Sequence, residues 1–118
     1  MIQIVAKKDF LSVSGHAYAG TKGNDLVCAA VSVLVTGAAE LWKNREEIFI
    51  TKTVEKNKNL KKDANNEKNN LLREEKFTFL FRFRDSNLPL DLEYEYAFLR
   101  RYLRLVASQY PNNVSYSE

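Results

Sequence analysis

Cysteine, histidine, methionine and tryptophan each occur once in the 118 residues, and proline only twice. A single cysteine, Cys28, cannot close an intrachain disulfide, and with one histidine, His16, it cannot furnish a cysteine-based zinc site. A disulfide-stapled secreted scaffold and a zinc ribbon are therefore excluded, and no metal is expected. Long apolar runs are also lacking: the longest, Leu26 to Ala39, is interrupted by Ser32, Thr36 and Gly37. The opening MIQIVAKKDFLSVSG has no basic segment leading into a long apolar one. We expect neither a signal peptide nor a membrane span, and a reducing cytoplasm as the compartment. Glycine is scarce at four residues, and after Gly15 and Gly20 the chain reads Thr21, Lys22, where a phosphate loop needs lysine followed by serine or threonine. That spacing rules against a nucleotide-binding loop, and no organic cofactor is expected.

Neither sign of charge dominates. The formal net charge is +3, and the surplus sits in residues 52 to 76, where eight Lys/Arg meet five Asp/Glu. The rest of the chain is balanced, so the basic character belongs to one Lys/Asn-rich, low-complexity stretch, read as a solvated loop at about 55–73. RNA contact through this loop is the alternative to plain solvation. Hydrophobic residues make up 45% of the chain, enough for a core, and 118 residues suit one domain spanning 1–118.

Short alternating runs at 2–6 and 10–14 predict an N-terminal hairpin. Eighteen mostly apolar residues from Asp25 to Trp42 are too many for a strand and predict a helix, capped by Asn24 or Asp25. EIFITKTV (47–54) and KFTFLFRFR (76–84) predict two further strands. Asp91 is placed to cap a second helix, in which Leu92, Tyr96, Leu99, Leu103, Val106 and Tyr110 recur at helical spacing. Pro111 ends it, and NVSYS (113–117) predicts a last strand. The fold class is α+β: a single domain with a mixed or antiparallel sheet packed with two helices, in the order ββαββαβ.

Between the second strand and the first helix lies GHAYAGTKGNDLVCAA, residues 15 to 30, which carries both chemical singletons. Cys28 reads either as a small core residue or, as the third residue of a helix capped by Asp25, as a thiolate favoured by the helix start. His16 reads either as an exposed loop residue or as the base that such a thiol requires. Helix-start N–H groups that favour a thiolate could equally hold an oxyanion, so acyl transfer is the chemistry this pair suits. Gly20 and Gly23 give the intervening loop the freedom to gate access to the pair.

Gly15-His16-Ala17, followed by Asp25-Leu26-Val27-Cys28-Ala29 and Ser32, resembles the signature of the ribosomal-processing cysteine protease (Prp) family, including the twelve-residue interval between histidine and cysteine. The resemblance implies a Cys/His endopeptidase, with Cys28 as nucleophile and His16 as general base and proton donor. It implies supporting positions at Asp25 and Ser32, a homodimer, and as substrate the precursor of large-subunit ribosomal protein twenty-seven, whose N-terminal extension is removed. The family's connection after the first helix is shorter than the Lys/Asn-rich run here. A reading from another class is a non-enzymatic ribosome- or RNA-binding module that uses the basic loop and the aromatic/basic strand KFTFLFRFR. Against it, period-2 phenylalanines are what a sheet buries under helices.

Overall fold

The structure, a computed structural model, describes residues 1–18, 22–56 and 74–118. Among the described residues seven elements follow the expected order: β1 (Ile2–Ala6), β2 (Phe10–Tyr18), α1 (Lys22–Trp42), β3 (Ile48–Lys56), β4 (Glu74–Phe83), α2 (Leu90–Gln109) and β5 (Val114–Ser117). The strands form one mixed sheet in the order β3-β4-β2-β1-β5, antiparallel throughout except for the parallel pair β1/β5. Most of the Lys/Asn-rich stretch expected as a loop lies outside the described residues, between β3 and β4. Among the described residues no helix is long and apolar enough to cross a membrane.

Alternation decides which face of the sheet is covered. Ile2, Ile4 and Ala6 of β1 stand in register with Gly15, Val13 and Leu11 of β2, which in turn face Phe77, Phe79 and Phe81 of β4. All are buried except Phe77, which is half-buried. The phenylalanines of KFTFLFRFR therefore pack inward, and each fully buried large side chain contributes about 1.5–3 kcal/mol of hydrophobic stabilisation. Helix α1 closes this face with Val27, Val31, Val35, Ala38 and Trp42, and α2 with Leu92, Tyr96, Leu99 and Leu103. Spacings of three and four put each set on one helical stripe. Trp42 ties the layers together, its ring edge-on to Phe81 at 5.6 Å and 6.5 Å from Tyr96. The Tyr96 hydroxyl donates to the Lys7 carbonyl at 2.7 Å and lies 3.2 Å from that of Phe10, which fixes α2 on the β1–β2 turn.

Boundaries differ from the sequence expectation in three places. Strand β2 runs on to Tyr18 because β4 pairs with it throughout, so Gly15 and His16 are strand residues. Helix α1 begins at Lys22, two or three residues before the expected cap at Asn24 or Asp25. Asp91 does not cap α2: Pro89 holds that position with no side-chain cap, and Asp91 lies in the first turn. Its carboxylate instead accepts from Arg45 at 2.8 Å, which holds the α1–β3 turn against the start of α2.

Candidate active site

Three residues separate the end of β2 from the start of α1, and α1 packs back over β2. His16 is two residues before the strand end, about 7 Å along the strand. Cys28 is six residues beyond Lys22, about 9 Å along the helix. The two positions thus belong to adjoining elements at the same end of the domain. In the backbone register His16 is opposite Lys76 of β4.

Gly15 has a steric role in this arrangement. Paired with Ile2 across the β1–β2 ladder, it brings the strands so close that a Cβ would stand 2.9 Å from Ile2 Cα and 3.0 Å from the Met1 carbonyl oxygen. Both neighbours are backbone atoms, which cannot swing aside as a side chain can. Glycine next to His16 is therefore a packing requirement of the sheet at that row.

Cys28 is half-buried on a flank of α1 and packs against the core cluster. One turn on, along the same flank, stands Ser32, exposed. Asp25 is the fourth residue of α1 and Gly23 the second, so neither is a loop residue; Gly20 lies outside the described residues. Cys28 is consequently the seventh helical residue and not the third. In a regular helix its N–H is bonded to the carbonyl four residues earlier, and the unpaired N–H groups belong to residues 22–25. The dipole's influence falls off within the first turn. An activating field from the helix start is accordingly weaker at this thiol than the sequence suggested. Among the described residues no group of three His, Cys, Asp or Glu converges as a metal site would require.

The sequence model of the cysteine protease Prp family matches residues 1–115, nearly the whole chain, and includes His16, Cys28, the six elements from β1 to α2 and the start of β5. The chain belongs to the cysteine protease Prp family. That family is one of cysteine proteases. The ribosomal processing cysteine protease Prp of Mycoplasma genitalium is 39% identical over 51 residues, 43% of this chain. The matched stretch spans half the length of that relative. Among solved structures, SMU.848 from Streptococcus mutans superposes with a TM-score of 0.66 at 16% identity, covering 100% of this chain and 96% of its own. Prp from S. aureus in complex with a substrate peptide gives 0.59 at 16% identity, covering 99% and 97%. The same S. aureus protease with a covalently linked product peptide gives 0.58 at 18% identity, with the same coverage. These structures share the Prp fold with the chain.

Proposed function

We propose that the chain is a cysteine endopeptidase that removes the N-terminal extension from the precursor of large-subunit ribosomal protein twenty-seven, with Cys28 as nucleophile and His16 as general base. The family match across residues 1–115 carries this reading. The neighbourhood of the strand end and helix start that hold the two residues supports it.

In the proposed cycle His16 takes the Cys28 proton, and the sulfur bonds to the scissile carbonyl carbon to give a tetrahedral oxyanion. Collapse breaks the C–N bond, and His16 hands its proton to the departing amine, which is the new N-terminus of the mature protein. The extension remains as a thioester on Cys28. Water, deprotonated by His16, attacks that carbonyl; the C–S bond breaks and the thiol is restored. Asp25 and Ser32 serve as supporting positions, one turn or less from Cys28, and the connection holding Gly20 serves as the route of access. Ribosomal protein processing assigns the enzyme to the cytoplasm.

A homodimer belongs to the same reading. Leu26, Val33 and Leu41 of α1 and Tyr94 of α2 stand 60–71% exposed, a set of apolar side chains that a second copy would cover. Light scattering of Leu41→Glu against the parent chain tests it, with a monomer expected for the variant. The rival RNA-binding reading loses its aromatics: Phe79, Phe81 and Phe83 are in the core and cannot stack on bases.

The deciding experiment measures cleavage of an extended precursor by mass spectrometry, beside iodoacetamide alkylation against pH. Cys28→Ala should abolish cleavage and keep the fold. His16→Ala should slow cleavage and alkylation together, by about 10²–10⁴, the usual worth of general-base assistance. Normal cleavage by Cys28→Ala refutes the mechanism.

A further inference from the structure

A cleft of about 890 Å³ opens between the C-terminal half of α2 and β5, lined among others by Arg101, Tyr102, Arg104, Leu105, Val114 and Tyr116. Two of its lining side chains already meet a carboxylate. The Tyr116 hydroxyl donates to Glu118 Oε1 at 2.8 Å, and Arg104 Nη1 stands 3.8 Å from the same oxygen. The Arg104 guanidinium also sits 6.0 Å over the Tyr116 ring. Burial first, and then the Glu118 contact, push the Tyr116 phenol above its ordinary range, so it is a donor at neutral pH. Tyr116 and Arg104 therefore form a two-point carboxylate site filled by the chain's own Glu118. The arginine and glutamate side chains are 55% and 46% exposed, which makes the contact weak and exchangeable.

Two features say what else the site would take. Strand β5 is a sheet edge, paired with β1 on one side and with no described strand on the other. Its outer backbone groups are available to a further strand. Around Tyr116 the positive charge exceeds the negative among the described residues: Arg101 and Arg104 line the cleft, and Arg104 and Arg100 act electrostatically on the phenol, against Glu118. A second copy paired edge to edge through β5 would set the arginines of both copies near one another, which disfavours self-pairing.

We propose that β5 and the C-terminal half of α2 dock an extended acidic peptide segment of a protein partner, which adds to β5 as a sixth strand and places one carboxylate between Tyr116 and Arg104 in place of Glu118. The alternate side chains of the added strand that face α2 then meet the Arg101–Arg104 side of the cleft. Glu118 acts as an internal competitor for this site. The proposal is independent of thiol chemistry at Cys28.

Fluorescence anisotropy of the full chain tests it with a short β-prone peptide carrying glutamate at alternate positions, its glutamine counterpart, and a short oligouridylate. The glutamate peptide should bind about tenfold tighter than the glutamine peptide, the scale of one charged hydrogen bond. Arg104→Gln should remove that preference. Glu118→Gln should tighten binding of the glutamate peptide severalfold, because the internal competitor is gone, and β5 amides should gain exchange protection on binding. Equal binding of the two peptides overturns the proposal, as does unchanged or weaker binding by Glu118→Gln. Tighter binding of the oligouridylate would make the cleft a nucleic-acid site and overturns it too.

Discussion

Gly15 and Gly37 should respond in opposite directions to the same substitution, and the difference follows from what a Cβ would meet. At Gly15 the added carbon would stand 2.9 Å from Ile2 Cα, closer than real Cβ atoms come, and 3.0 Å from the Met1 carbonyl oxygen, tighter than an ordinary contact. Relief requires β1 to move away from β2 at the Ile2↔Gly15 row, where Ile2 is buried at 2% exposure. Overpacking of this kind costs about 1–3 kcal/mol, from which the backbone advantage of alanine over glycine returns up to about 1. Gly15→Ala should therefore lower Tm by several degrees, at roughly 3–6 °C per kcal/mol for a domain of this size. Nothing lies within 4 Å of a Cβ at Gly37, which sits inside α1. Gly37→Ala should stabilise by about 0.5–1 kcal/mol through helix propensity and the unfolded chain's lost freedom. Urea and thermal unfolding of both variants against the parent chain provide the measurement. A Gly15→Ala protein as stable as the parent would refute the close-approach argument. One that is destabilised and also loses cleavage out of proportion to its unfolded fraction would show that the row next to His16 must be held in place.

Alkaline stability should report on Tyr96. Burial raises its phenol from an ordinary 10.0 to about 12, so between those values the unfolded chain gives up a proton that the folded chain keeps, and stability falls as pH rises. The difference between the parent chain and Tyr96→Phe should change by roughly 2–3 kcal/mol across that window, after a loss of about 0.5–1.5 kcal/mol at neutral pH for the missing hydrogen bond; parallel pH profiles would contradict it. At the acid end, the hydrogen bond from Arg45 holds the Asp91 carboxyl below its ordinary 3.8. Its contribution is present above that value and is lost as pH falls through the folded pKa, so Asp91→Asn should show a shallower acid decline in Tm than the parent. Replacing residues 57–71 by a short Gly/Asn turn should leave Tm nearly unchanged, because loop length costs only about 0.6 kcal/mol per doubling; collapse of the fold would identify that segment as a structural element.

Order, class and core were legible in the sequence because they rest on periodicity. Phe79, Phe81 and Phe83 alternate with Thr78, Leu80 and Arg82, while Val27, Val31 and Val35 recur every fourth residue; each pattern fits one kind of element buried on one face. What sequence could not fix depended on partners distant in the chain. The alternating run at 10–14 stops short of Gly15-His16-Ala17, yet β4 residues 75–77 extend the ladder across it. Asp91 had the chemistry of a cap, but Arg45, 46 residues earlier, takes its carboxylate. The Tyr116–Glu118–Arg104 contact joins the chain's last strand to the outer side of α2, and no local pattern announces it. The two chemical singletons stand out because each occurs once, and their geometry depends on where α1 begins.

That beginning alters how the proposed nucleophile is activated. Had Cys28 been the third helical residue, unpaired N–H groups and the positive end of the dipole would have favoured its thiolate directly, with histidine as an auxiliary. As the seventh, on a flank packed against the core, it lies beyond the first turn, which carries the unpaired N–H groups and most of the dipole's influence. The imidazole then has to supply most of the driving force, both by taking the proton and, once charged, by stabilising the sulfur. Placement of His16 becomes the controlling variable, and the residue that fixes its strand row is Gly15, through the close approach to Ile2. A strand pairing at one edge of the core, and not the helix dipole, is on this argument what holds the proposed catalytic pair in working order.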